Sequence, residues 1–395
     1  MILPKNPLDV FHIDLFNKLR IYPLLWLAQA FGLWKKPRLV ASGDIESMTF
    51  LDKVYWLYKI KHPVHYPDYD FMTFDWLEMN SLKKLSDVQS PQLLTLSAVG
   101  DLLNHPYLIN SRETLYADIF EQLFEHDLAM ANLECCIDDQ RENDLNFSLT
   151  RAPRLSFTES EFDIVRGGFT FMSSACNHSF DLGEEGVNQT LFTLKKNNIQ
   201  TNGLNRTPEE SLKGTIIEKA GFRLGVICHT FGLNGHNPPA DKKYLVNYTK
   251  LNSPPAHCNL EQIKKQISFL ENENVDFKIA HLHWGWEHEF YPRQTQIELA
   301  HHLAELGIDL IIGHHPHVIQ PTELYQTQRD SRRIVPIFYS LGNLTNGFSQ
   351  DFLCQSLLAT LSLGRLEDGT VLVHSVKQEK LLQQVVGDKI KITQF

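Results

Sequence analysis

The chain has 395 residues, of which 43% are hydrophobic and 21% charged, a composition typical of a globular protein with one large or two medium domains. Its formal net charge of -10 argues against nucleic acid as a partner, because an acidic surface repels phosphates. No signal peptide is evident, and no apolar run reaches the roughly 20 residues that span a bilayer. We therefore expect a cytoplasmic protein, or one bound peripherally at the inner face of the membrane.

Residues 1–90 differ in character from the rest of the chain. They are rich in aromatic and lysine side chains, contain few glycines and carry no recognisable chemical motif. We predict a mostly helical extension of unknown role. Its most apolar run, Ile21–Trp34, is followed by two lysines. Two interpretations of this run remain open, a buried helix or an interfacial helix in peripheral contact with a membrane surface.

From Leu93 onward, predicted strands and helices alternate. The predicted strands are residues 93–100, 128–134, 169–177, 199–204, 215–221, 222–232, 276–285, 308–315, 334–343, 356–364 and 370–378. The predicted helices are residues 114–127, 159–166, 184–197, 260–272 and 294–306. This order indicates an α/β domain with two sheets covered by helices. We assign it to residues 91–350, and the β-rich tail, residues 351–395, completes the same domain.

The stretch His281–His317 contains eight of the 18 histidines, and histidine is the commonest metal ligand. His283 follows one apolar strand, and His315 and His317 follow another. Ligands of open α/β sheets bind just beyond the carboxyl ends of the strands. The proline between His315 and His317 fixes the backbone that separates the two imidazoles. The pattern therefore indicates a metal site.

Five predicted strand ends carry side chains of ligand type: Asp101, Glu134, Asn177 with His178 and Asp181, His283 with Glu287, and His315 with His317. Carboxylate, amide and imidazole ligands together suit a first-row divalent metal such as Mn, Fe or Zn. The lack of paired cysteines argues against a structural zinc site.

These motifs resemble the CapA family of poly-γ-glutamate capsule biosynthesis proteins, whose fold is related to that of calcineurin-like metallophosphoesterases. The motifs are VGD at 99–101, ANLE at 131–134, NHSFDLGEEGVNQTL at 177–191, the block from HWGWE to GHHPHVIQ at 283–320, and YSLGN at 339–343. The resemblance covers roughly residues 93–345. It implies a four-layer αββα sandwich of the metallophosphoesterase type.

The resemblance also implies roles for single residues. One metal would take Glu134, Asn177, His283 and His315. The other would take Asp101, Glu134 and His317, because Leu103 stands where phosphoesterases have a histidine. One or two metals per chain are therefore compatible with the sequence. His178 matches the catalytic histidine. Residues expected to support the ligands or line the pocket are Asp181, Glu287, Ser340 and Asn343.

The implied function is metal-dependent hydrolysis, of phosphoester type, connected with poly-γ-glutamate capsule synthesis. A metal lowers the pKa of a bound water and so supplies hydroxide near neutral pH. Two alternatives remain. The chain could be a non-catalytic component that binds the polymer, or a hydrolase of amide bonds in the polymer, because a metal-bound hydroxide also attacks carbonyl carbon. The expected partner is accordingly a small-molecule substrate or an acidic polymer.

Overall fold

A computed structural model describes residues 15–88, 92–139 and 152–395. Its α-helices are α1 (Leu15–Phe31), α2 (Phe50–Lys61), α3 (Phe120–Phe124), α4 (Glu159–Val165), α5 (Gly183–Lys196), α6 (Glu261–Asn272) and α7 (Gln294–Glu305). Its strands are β1 (Leu82–Lys84), β2 (Leu93–Leu102), β3 (Leu128–Leu133), β4 (Cys136–Ile137), β5 (Ser156–Phe157), β6 (Phe171–Ser173), β7 (Gln200–Asn202), β8 (Thr215–Lys219), β9 (Phe222–Thr230), β10 (Phe277–His283), β11 (Leu310–His314), β12 (Thr322–Gln326), β13 (Ile334–Phe338), β14 (Asn343–Thr345), β15 (Gln355–Arg365), β16 (Val371–Val386) and β17 (Lys389–Gln394).

Two large sheets form the centre of the molecule. One has nine strands in the order β1-β16-β15-β2-β3-β6-β7, with β14 paired to β2 and β17 paired to β16. The other has six strands in the order β12-β13-β11-β10-β9-β8. β8 and β9 form an antiparallel hairpin, and its turn places Ala220 and Gly221 at positive φ, as a type I′ turn requires.

The hydrophobic residues form three stacked layers. Alternate residues of β2, such as Leu94 and Leu96, pack with Val226 and Ile279 of the second sheet, so the two sheets meet face to face. The outer face of the first sheet is covered by α3, α4 and α5. The outer face of the second sheet is covered by α6 and α7. The predicted four-layer αββα architecture is therefore confirmed.

The ends of the strands bring the two sheets together at one edge. β2, β3, β6 and β7 run parallel, as do β9, β10, β11 and β13. Two glycines just before this edge allow close backbone contacts. A Cβ on Gly100 would lie 2.0 Å from the Gly342 carbonyl oxygen, and one on Gly313 would lie 2.0 Å from that of Tyr339. The glycines of the VGD and GHHPH motifs are therefore required by packing.

The described part of the extension, residues 15–88, contains α1, α2 and the short strand β1. A capping box between Thr49 and Asp52 begins α2. β1 pairs with β16 of the first sheet, so this segment contributes to the large sheet. The domain boundaries at residues 90 and 350 stay a prediction. Among the described residues, every helix is too short or too polar to cross a bilayer.

One predicted helix is much shorter than expected. Residues 114–127 have helical spacing, but only α3 is helical, because tertiary hydrogen bonds hold the preceding turns. The Ile392 amide donates to the Leu115 carbonyl, and the Thr114 hydroxyl donates to the Ile390 carbonyl. Pairing with β17 thus outweighs local helical propensity in this segment.

Candidate metal centre

The predicted ligands from both sheets meet at this shared edge. Asp101 ends β2, Glu134 follows β3, His283 ends β10, and His315 and His317 follow β11. All five are buried, with exposed fractions between 0% and 6%. The Nε2 atoms of His283 and His317 lie 3.5 and 3.7 Å from Glu134 Oε1. Glu134 therefore occupies the centre of the cluster.

Asn177 joins this cluster from the loop after β6. Its Oδ1 lies 3.0 Å from His283 Nε2. The loop is held locally by Ser179, whose hydroxyl accepts a hydrogen bond from the Cys176 amide and donates one to the Ser174 carbonyl. This places an amide oxygen among the imidazoles and carboxylates.

His178, the neighbour of Asn177, is fixed by Asp181. Its Nδ1 lies 2.7 Å from Asp181 Oδ2, which also accepts a hydrogen bond from the Leu155 amide. The Nδ1–H therefore donates to the carboxylate, and Nε2 remains for the site. Asn234, at a left-handed φ of 54°, places its Nδ2 3.3 Å from that Nε2.

Several buried polar atoms in the cluster have no hydrogen-bonding partner in the described part of the chain. They include both carboxylate oxygens of Glu134 and Nδ1 of His315. Burying a carboxylate without a partner is costly, and native proteins rarely leave such groups unsatisfied. The donor set thus fits a bound cation, which would satisfy these lone pairs.

In the metal-free cluster, the pKa values of the two central carboxyl groups shift in opposite directions. Burial raises the pKa of Glu134 well above its usual value, and the negative charge of Asp101 raises it further. Burial also opposes ionisation of Asp101, but a hydrogen bond and charge from His314 lower its pKa. Burial lowers the pKa values of His283 and His315, which favours the neutral imidazole that binds metals.

Three overlapping groups of side chains could each hold a metal ion, since their ligand atoms lie within 4.8 Å of one another. They are Glu134 with His283 and His315, Asp101 with Glu134 and His317, and Glu287 with His315 and His317. Backbone strain accompanies them, because His315 and His317 both have positive φ values, of 96° and 58°. Such strain in non-glycine residues clusters at functional sites.

The four predicted supporting residues have different roles. Asp181 holds His178, and Asn343 places its Oδ1 2.9 Å from Nδ1 of His317, which directs Nε2 of that ring toward Glu134. Glu287 belongs to the third ligand group. The Ser340 hydroxyl accepts a hydrogen bond from the Gly342 amide, so it shapes the turn after β13.

Sequence reasoning missed several residues that support the ligands. Asn132 donates to Asp101 Oδ1 at 2.9 Å and lies 3.3 Å from His283 Nδ1. Its position two residues before Glu134, on the same face of β3, was an available signal. His314 Nδ1 lies 3.2 Å from Asp101 Oδ1, and His281 Nδ1 lies 3.2 Å from His314 Nε2.

Leu103, the residue in place of a ligand histidine, is buried among apolar side chains under the helices of the first sheet. Its amide donates to the Thr345 carbonyl, and its carbonyl accepts from the Thr345 hydroxyl. Its position is therefore fixed by backbone contacts, and its side chain serves the core.

Comparisons with known proteins agree with this picture. The family model described as "Bacterial capsule synthesis protein PGA_cap" matches residues 95–347. The chain is 27% identical to the PGA biosynthesis protein CapA of Bacillus subtilis over 80% of this chain and 81% of that protein. It is 24% identical to the capsule biosynthesis protein CapA of Bacillus anthracis, over 72% of this chain and 66% of that protein.

Among solved structures, a putative 5′-nucleotidase from Staphylococcus aureus aligns with a TM-score of 0.42 and 15% identity. The alignment covers 73% of this chain and about half, 54%, of that one. The family prediction rests instead on the sequence match, which spans more than half of the chain and contains every predicted metal ligand. The chain belongs to the bacterial capsule synthesis protein family PGA_cap.

Proposed function

We propose that this protein is a metal-dependent hydrolase, of phosphoester type, that acts in the synthesis of poly-γ-glutamate capsule polymer. The observation that carries the proposal is the buried Glu134 carboxylate, which has no hydrogen-bonding partner among the described residues and lies between the Nε2 atoms of His283 and His317. The capsule context is supported by the names of the two Bacillus relatives.

The proposed ligands divide between two positions. The first uses Glu134, Asn177, His283 and His315, and the second uses Asp101, Glu134 and His317. The mixture of imidazole, amide and carboxylate donors fits Mn, Fe or Zn. When bound, such a metal supplies hydroxide near neutral pH and polarises the attacked group.

His178 is the proposed general acid. Asp181 accepts the Nδ1–H of His178 and fixes the ring, so Nε2 is the nitrogen that would donate the proton. The Asn234 Nδ2 lies 3.3 Å from that nitrogen and orients the neutral ring toward the cluster. Proton donation to a leaving oxygen makes this arrangement suitable for ester cleavage.

The test is hydrolysis by protein that has been stripped with a chelator and reloaded with Mn²⁺ or Zn²⁺. We expect metal-dependent turnover of p-nitrophenyl phosphate or bis(p-nitrophenyl) phosphate, and its loss in Glu134→Gln. A γ-glutamyl anilide tests amide hydrolysis in parallel. Metal-loaded protein that is inert toward all three but retains poly-γ-glutamate would overturn the hydrolase proposal and support a binding role.

We further propose that α1 and the segment after it contact an anionic membrane surface. Ten large apolar side chains are exposed here: Leu15, Phe16, Leu19, Tyr22, Trp26, Leu27, Phe31, Leu33, Leu39 and Val40. Five basic and no acidic residues lie between Leu15 and Gly43, in a chain whose net charge is -10. Apolar and basic side chains together are typical of helices that lie in a lipid interface.

Vesicle sedimentation tests this contact. We expect binding to phosphatidylglycerol-containing vesicles that weakens with salt, and weak binding to pure phosphatidylcholine. The double variant Trp26→Ser, Phe31→Ser should lose binding. The matched control is Phe192→Ser on α5, where an apolar ring is also exposed. Equal binding by the double variant would contradict the proposal, and a dimer in light scattering would indicate a second copy of the chain as the occupant.

A further inference from the structure

The second metal position has fewer protein ligands than the first. Asp101, Glu134 and His317 can reach it, and Leu103 offers none because its side chain lies in the core. A divalent first-row metal usually binds four or more donor atoms. A further protein ligand at this position would therefore complete the site.

Glu287 adjoins one ligand of this position, His317. A carboxylate oxygen of Glu287 and ligand nitrogens of His315 and His317 lie within 4.8 Å of one another. His317 is shared with the Asp101 and Glu134 group, so the third carboxylate adjoins the same imidazole. Its side chain is 20% exposed, which leaves it partly accessible to solvent.

Glu287 is oriented by the N-terminal segment. The Trp56 indole N–H on α2 donates a hydrogen bond to Glu287 Oε2. α2 is in turn fixed to the loop after β10, because Lys59 Nζ lies 2.9 Å from Glu289 Oε1 and the Tyr55 hydroxyl lies 3.0 Å from the same oxygen. The carboxylate is thus held in place by a residue more than 200 positions away in the chain.

A small cavity adjoins this carboxylate. It has a volume of about 10 Å³, close to the minimum that holds one water, and its lining includes Glu287 and His315 from the site and Trp56 and Lys59 from α2. The cavity therefore lies between the cluster and the extension, on the side where Glu287 faces His315.

We propose that Glu287 is a ligand of the second divalent metal and takes the place of the missing histidine, an inference that rests on the proposed metal centre. The second position would then have three carboxylates and one imidazole, whereas the first has two imidazoles, one amide and the shared Glu134. Oxygen-rich sites favour Mn²⁺ and Mg²⁺, and imidazole-rich sites favour Zn²⁺ and Fe²⁺. The two positions should accordingly differ in metal preference.

The experiment is a Mn²⁺ titration of the metal-free full-length protein, with bound metal measured by electron paramagnetic resonance. We expect two equivalents in the wild type and one in Glu287→Gln, with the affinity of the first equivalent unchanged. Trp56→Phe removes the N–H but keeps an aromatic ring, and it should weaken the second equivalent by about 10- to 100-fold. Glu367→Gln, in an exposed turn, is the charge-matched control and should bind two equivalents.

Two results would overturn the inference. One is Glu287→Gln that still binds two equivalents, and the other is a wild type that binds a single equivalent with the same affinity as Glu287→Gln. Neither result affects the proposed hydrolase, because one occupied metal position can support turnover. Hydrolysis is measured separately, so a protein that binds two equivalents but is inert would instead contradict the function and leave the role of Glu287 standing.

Discussion

Two buried glutamates, Glu289 and Glu134, have opposite surroundings. Glu289 is 1% exposed and accepts hydrogen bonds from Lys59, Tyr55 and twice from Arg293. Glu134 is fully buried and accepts none from the described residues. A buried carboxylate surrounded by hydrogen-bond donors fixes one segment to another, whereas one without donors indicates a ligand to be bound. The same substitution at both positions separates these roles.

The largest expected effect is the loss of hydrolysis in the variant Glu134→Gln. Because the carboxylate is shared by both proposed positions, we expect loss of bound metal and of hydrolysis to background. The free energy of unfolding of the metal-free protein should change by less than about 1 kcal/mol, since burial already favours the neutral carboxyl and no described residue donates a hydrogen bond to it. Metal analysis and urea denaturation measure the two effects. A strong loss of stability without metal would contradict the comparison.

His178→Gln should lower the rate but not the metal content. A general acid contributes about 10²- to 10⁴-fold to the rate, so kcat on an alkyl phosphate ester, whose leaving group needs a proton, should fall by that factor while metal content remains unchanged. Single-turnover kinetics with a substrate whose leaving group needs no proton should restore much of the rate. A rate loss independent of the leaving group would argue for a structural role of the ring.

Glu289→Gln should destabilise the fold by about 3–5 kcal/mol, because Lys59 and Arg293 would remain buried with an uncompensated charge. Denaturant unfolding of the full-length protein measures this loss. Lys83→Gln, which breaks an exposed ion pair with Asp75, is the control and should cost less than about 1 kcal/mol. Equal effects of the two variants would show that the buried network contributes little.

The Glu289 effect should also depend on pH. Burial alone would raise the pKa of Glu289, but the charges of Arg293 and Lys59 lower it to about 2. The unfolded chain has a glutamate pKa of about 4.3. The stabilisation is therefore fully present above about pH 4.3 and is lost as the pH falls through about 2. The stability difference between wild type and Glu289→Gln should shrink over that window.

The smallest effect is expected from Asn343→Ala. Its Oδ1 accepts from Nδ1 of His317 and so sets which nitrogen faces the metal. Loss of such a partner typically weakens metal binding by about 10- to 100-fold. Asn346→Ala removes a nearby buried amide that also donates to the Leu353 carbonyl, so it is a matched control for the loop. Equal metal affinities in both variants would show that the tautomer of His317 is not set by Asn343.

The sequence predicted the site where the information is local. Each predicted ligand directly follows an apolar strand, and parallel strands place such residues at one edge. Glycines such as Gly100 and Gly313 mark the same ends because the backbones approach closely there. Two sheets covered by helices were likewise evident from the alternation of strands and helices, and the resemblance to the CapA family added the four-layer αββα order.

What the sequence did not predict depends on contacts between distant segments. The contact of Trp56 with Glu287 joins residues 231 positions apart, and no local pattern indicates it. The helix predicted at residues 114–127 is shorter than expected for the same reason, since the backbone of this segment pairs with β17 near Ile392. Asn132, in contrast, could have been predicted from the sequence, because strand alternation alone places it beside Glu134.

Helix α2 packs beside the metal centre although it lies outside the part of the chain that the family shares. The family match begins at residue 95, so Trp56 and Lys59 fall outside it although they line a cavity next to His315. A truncated protein that starts at residue 92 would keep every proposed metal ligand and still lose Trp56, the hydrogen-bond donor to Glu287. Two family members with identical ligands and different N-terminal segments should therefore differ in how the carboxylate beside the metal centre is oriented.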